Sequence, residues 1–186
     1  RSPLRVRLTI ATGEWRNAAP VIRQLVEETW RPTGLPIEWV DDAEARWDAI
    51  DFWIAVVHTT ITDPEGGVLG FVRFNGDQPG PLARVSMDAA PLWVRNYQGR
   101  RLKTTLTALG DRLDNPDLIH RVLGYTAAHE LGHFVLSMKT HASSGIMKPT
   151  YRQPEALFEQ ESWQLDQRNV MRLQQRIAGG CGVRAP

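Results

Sequence analysis

The chain has 186 residues, 42% of them hydrophobic and 23% charged, enough apolar material for a proper core within one domain. Its formal net charge of +1, with no basic run, gives no reason to expect a nucleic-acid partner. No stretch approaches the ~18 apolar residues of a membrane span.

LRVRLTI (4–10) alternates apolar and polar residues, the period of a half-buried strand. A helix is predicted over about 17–30, where Val21, Ile22, Leu25, Val26 and Trp30 recur at helical spacing and Pro20 suits the first turn. LPIEWV (35–40) reads as a second strand. The continuous apolar run in DAIDFWIAVV (48–57) reads as a central strand with both faces covered. TDPEGG (62–67) is a turn by composition. GVLGFVRFNG (67–76) reads as an edge strand bulged at Gly70. GDQPGP reads as another turn and ARVSMDA (83–89) as a short fifth strand. Residues 90–114 carry little signal beyond a short helix in LKTTLTALGDRL. Asn115-Pro116-Asp117 then supplies a capping side chain, a proline and an acid, the start of a helix running through HRVLGYTAAHELGHFVL. A last helix is predicted over about 156–177. The seven tryptophans read as core and groove-wall material, and the order of elements reads as α+β with a mostly continuous sheet.

The long helix carries HELGH. Residues four apart on a helix lie ~6 Å apart along the axis on nearly one face, so His129 and His133 can reach one zinc ion at ~2.1 Å. Glu130, ~100° around the helix, borders that position without occupying it, where a base acting on water belongs. A catalytic zinc keeps three protein ligands, and His141 is the obvious third. On a continued helix His141 would lie ~12 Å beyond His133. Its use therefore requires the helix to end near Leu136–Met138 and the chain to turn back.

HELGH, a following histidine and SSGIMKP together resemble the active-site segment of the metzincin zinc endopeptidases, most of all the matrixins. Gly145-Ile146-Met147-Lys148-Pro149 resembles the family's Met-turn, with Met147 as its methionine. The resemblance implies a twisted, mostly parallel five-stranded sheet with an antiparallel edge strand, a long active-site helix and a C-terminal helix. It also implies a single catalytic domain over 1–186, secreted or extracytoplasmic, monomeric by default, with a peptide or protein substrate. GGVLGFVRFNG resembles the substrate-binding edge strand, which offers Val68, Leu69, Gly70 and Phe71 as substrate contacts. Tyr151 is placed on the pocket wall. The pattern departs from the family in two places: Leu136 stands where the family has glycine, and Lys139 where it has the third histidine. A carboxylate from Glu155, Glu159 or Glu161 is the alternative third ligand, as in gluzincins.

The function so implied is a zinc-dependent endopeptidase that cleaves peptide bonds with metal-activated water and Glu130 as general base. The alternative is a catalytically weak or inactive peptide-binding module on the same fold. A purely structural zinc site normally needs four protein ligands, and no fourth is spaced for it. His58 and His120 lack partners at ligand spacing and read as structural or surface residues. The lone Cys181, in a glycine-rich tail, reads as an ordinary free thiol.

Overall fold

The computed structural model describes residues 2–11, 13–40, 46, 49–58, 68–101, 116–149 and 163–178. Among these residues five strands form one sheet: β1 (Leu4–Ile10), β2 (Ile37–Trp39), β3 (Phe52–Val57), β4 (Gly70–Asn75) and β5 (Gln78–Ser86). Their order is β2-β1-β3-β5-β4. All pairings are parallel except β4 with β5, which puts the antiparallel strand at the edge. The parallel crossover β1–α1–β2, with α1 at Ala18–Trp30, makes the chain α/β, where element order alone had suggested α+β.

Burial alternates along β1 as the sequence period requires: Leu4, Val6 and Leu8 enter the core, and Arg5, Arg7 and Thr9 stay half-buried. β3 meets the expectation of two covered faces only in part: Phe52, Ile54 and Val56 are fully buried and Ala55 is buried on the opposite face, but Trp53 and Val57 beside it are only half-buried. There Trp53 donates to Thr9 Oγ1 (2.8 Å) and lies under the Arg7 guanidinium. The expectation for the tryptophans fits Trp30 and Trp163, which are buried, and Trp15, Trp39 and Trp93, which pack against the core.

Two further expectations are corrected in the β4–β5 hairpin. GDQPGP is not one turn. Only Gly76 and Asp77 turn, with Gly76 at φ 61° in the first central position, and Gln78, Pro79 and Gly80 already belong to β5. Pro79 is tolerated because β5 pairs with β3 only from Leu82 onward, so no ladder bond is lost on that side. The irregularity in β4 lies between Val72 and Phe74, not at Gly70, because the extra residues sit in β5 around Gly80.

The fifth strand ends at Ser86, so ARVSMDA is half strand and half entry to a helix. The next element, α2 (Ala89–Arg101), was not anticipated; it opens with Ala89 N–H donating to Ser86 Oγ at 3.0 Å. Most of LKTTLTALGDRL, like TDPEGG, lies outside the described residues. The long helix α3 spans Pro116–Leu136, starting at the proline that marked it. It crosses α1 at Gly124, where a Cβ would come within 2.7 Å of Leu25, and it packs on β3, β4 and β5. The C-terminal helix α4 is described over Gln167–Ala178; the earlier part of the predicted 156–177 helix lies outside the described residues.

Candidate metal centre

The centre begins with the way α3 stops. Leu136 remains helical and Ser137 takes the left-handed conformation, φ 50°. Ser137 N–H then bonds the Phe134 carbonyl (3.2 Å) and Met138 N–H the His133 carbonyl (3.1 Å). These two bonds form a Schellman closure with serine where glycine is usual. The reversal therefore comes one residue later than a glycine at 136 would set it, and His141 falls back beside the helix.

His129, His133 and His141 are thereby gathered, with one ligand nitrogen from each lying within 4.8 Å of the others. The ring centroid of His141 is 5.3 Å from that of His129 and 5.0 Å from that of His133. His129 and His133 are buried; His141 is exposed and closes the cluster from the solvent side.

Two backbone carbonyls fix the inner imidazoles. His129 Nδ1 lies 2.6 Å from the Ile146 carbonyl oxygen and His133 Nδ1 2.6 Å from that of Met138. A carbonyl only accepts, so each Nδ1 carries the hydrogen and each Nε2 presents a lone pair. Those two Nε2 atoms face one another at 3.2 Å. Neither can donate to the other, and a cation between them satisfies both. Two nitrogens at ~2.1 Å on a tetrahedral ion stand ~3.4 Å apart, so the spacing fits. Burial pulls His129 down from its ordinary 6.5 to about 4, and lowers His133 and His141 as well. All three imidazoles are therefore neutral at pH 7, the form that a metal ion would need.

The turn at Gly145–Lys148 supplies both the Ile146 carbonyl and the floor. Lys148 N–H closes onto the Gly145 carbonyl (3.2 Å), and Ile146 N–H donates to the Gln164 carbonyl (2.9 Å). Gly145 has φ 67°, and a Cβ there would overlap that same Gln164 oxygen, so the turn needs glycine twice over. Met147 is fully buried with its sulfur against Gly132, leaving no room for a Cβ. Trp30 backs the same spot and donates to the Ala128 carbonyl at 3.2 Å. The sequence singled out Met147 and the turn; the roles of Trp30, Gln164 and the two carbonyls carried no residue-level signal.

Glu130 is buried beneath β4, and burial raises its pKa from 4.5 to about 8 against the opposing Val72 N–H bond to its carboxylate. Gly70 leans on the Glu130 stem: a Cβ there would sit 3.1 Å from Glu130 Cγ and 2.7 Å from the Thr126 methyl. The edge strand starts at Gly70, later than the sequence period suggested; Phe71 is exposed on it, and just before it Val68 is exposed and Leu69 half-buried. Phe74 stands edge-on to His133 at 5.9 Å. His58 pairs with Asp88 (2.8 Å) and His120 packs edge-on to Trp15, both away from the cluster. Tyr151, Glu155, Glu159, Glu161 and Cys181 lie outside the described residues.

No family model matches the chain, and no curated protein matches it.

Proposed function

We propose that the chain is a zinc-dependent endopeptidase of the metzincin type, closest in character to the matrixins. The observation that carries this reading is the pair of converging Nε2 lone pairs, with His141 beside them and a buried carboxylate next along the helix. His129, His133 and His141 would hold the ion, and three ligands among the described residues suit zinc catalysis better than a four-ligand structural site. When bound, zinc supplies Lewis acidity toward a carbonyl and lowers the pKa of water towards ~7. Glu130 takes the proton from the attacking water and returns it to the leaving amine. The Ile146 and Met138 carbonyls hold the imidazoles in the correct tautomer, and Met147 on Gly132 fixes the floor.

The substrate is an extended peptide that adds to the open edge of β4, where backbone bonds give affinity and Val68, Leu69, Gly70 and Phe71 contribute contacts. Tyr151 belongs to the pocket wall in this reading, and the secreted or extracytoplasmic location follows from the resemblance alone. The departure from the family pattern at Leu136 and Lys139 favours a second reading: a peptide-binding module of weak or no activity on the same fold. Cleavage of a mixed peptide library by zinc-loaded protein, beside Glu130→Ala, separates the two. Cleavage lost in the variant supports the peptidase. Silence from both supports the binding module, and equal cleavage contradicts the role of Glu130.

A further inference from the structure

The three imidazoles of the cluster are not held alike. His129 and His133 each turn Nδ1 onto a backbone carbonyl, that of Ile146 and that of Met138, at 2.6 Å. Among the described residues no such carbonyl meets a ring nitrogen of His141, which is also the exposed member of the three. Its ring nevertheless stands 5.3 Å from that of His129 and 5.0 Å from that of His133, centroid to centroid. An exposed side chain on an irregular segment loses backbone and rotamer freedom when it takes up one position. A backbone already fixed beside it reduces that loss.

The fixed point lies one residue on. Ala142 N–H donates to the Met147 carbonyl at 2.8 Å and closes residues 142–147 into a loop. The acceptor is itself well anchored, since Met147 is fully buried with its sulfur against Gly132. Ala142 is half-buried and packs against the core, whereas Lys139, Thr140 and His141 before it and Ser143 and Ser144 after it are exposed. The segment is thus tied down at Ala142, and the peptide unit that carries the bonded N–H is the one joining Ala142 to His141. The Ile146 and Met147 carbonyls are consecutive, so one turn serves the His129 ring through the first and the His141 backbone through the second.

We infer that Ala142 is the positioning residue for the third metal ligand: its N–H on the Met147 carbonyl holds the His141–Ala142 peptide so that His141 stands beside His129 and His133. The long interval between His133 and His141 is accommodated because the loop is pinned from the Met147 side as well as by the end of α3. The inference rests on the three-histidine site proposed above and does not depend on peptidase activity.

Zinc affinity, measured on the full chain by competition with a chelator at pH 7, tests this in a double-mutant cycle. Ala142→Pro deletes the N–H. It should weaken zinc binding by about 10- to 100-fold, as loss of an orienting partner does. In the His141→Ala background the same change should alter affinity by less than about 2-fold, because the residue it positions is gone. Equal losses in both backgrounds would mean a general disturbance of the loop and would overturn the role, as would unchanged affinity in the chain that keeps His141. Proline also restricts the residue before it, so a second variant replaces the Ala142 N–H with an ester oxygen and nothing else. The ester should show the same pattern, and it decides the matter where Ala142→Pro does not fold; full affinity in the ester overturns the role of the N–H. His141→Ala alone tests the underlying site: if zinc affinity is unchanged there, the three-histidine reading fails and Ala142 has no ligand to position.

Discussion

Each of the two inner histidines depends on one carbonyl, and each carbonyl on one backbone conformation. At His133 the carbonyl is that of Met138, placed by the left-handed Ser137. A serine there costs about 1 kcal/mol relative to glycine, so Ser137→Gly should raise stability by up to that amount. The check is a urea midpoint that moves up with an unchanged slope. At His129 the carbonyl is that of Ile146, held by a turn that needs Gly145. Gly145→Ala should lower metal affinity by roughly 10- to 100-fold, as loss of an orienting partner does, measured by competition with a zinc chelator. Replacing His141 by alanine removes one of the three clustered imidazoles while leaving both carbonyl contacts in place, and should weaken metal binding at least as much. Sequence spacing identified the imidazoles, but it could not identify the carbonyls, since any residue type supplies one. The end of the helix between Leu136 and Met138 was legible, but its left-handed residue was not: serine is no left-handed signal, and only the closure bonds at Phe134 and His133 place it at Ser137.

The elements that were legible had chemistry at their ends. α3 announced itself through Pro116 and Asp117, and β1 through strict alternation. α2 did not, because Leu92, Trp93 and Val94 form an apolar run without helical period, and the start of the helix lies in the Ser86 cap. The β4–β5 hairpin was misread for a related reason: Pro79, Gly80 and Pro81 look like loop, although β5 makes no pair with β3 until Leu82. A close joint on α3 is Gly132 against Met147 and Trp30. Gly132→Ala should cost about 1–3 kcal/mol through overpacking, visible as a lower Tm even in metal-free protein. An unchanged Tm would mean that Met147 swings aside and is not a fixed floor.

At the scale of the whole molecule, the burial that assembles the centre also sets its response to pH and metal. His129 has its folded pKa lowered from 6.5 to about 4, so the unfolded chain binds that proton first. Its contribution to stability is full above pH 6.5 and is lost as pH falls toward 4. Glu130 is raised from 4.5 to about 8, so its contribution is full below pH 4.5 and is lost as pH rises toward 8. Between 4.5 and 6.5 the two oppose one another; above 6.5 Glu130 alone remains. Metal-free protein should therefore lose stability from pH 6.5 to 8, and Glu130→Gln should not, a comparison that thermal melts at fixed salt would make. Zinc at 100 times its Kd should add about 2.7 kcal/mol, roughly 5–10 °C in Tm.

The most direct test of the centre is a calorimetric titration of metal-free protein with zinc at pH 7, run beside His133→Ala. One ion per chain is expected in the unaltered protein, with at least a 100-fold loss of affinity in the variant. Equal affinity in both would place the ion elsewhere and contradict the three-histidine site.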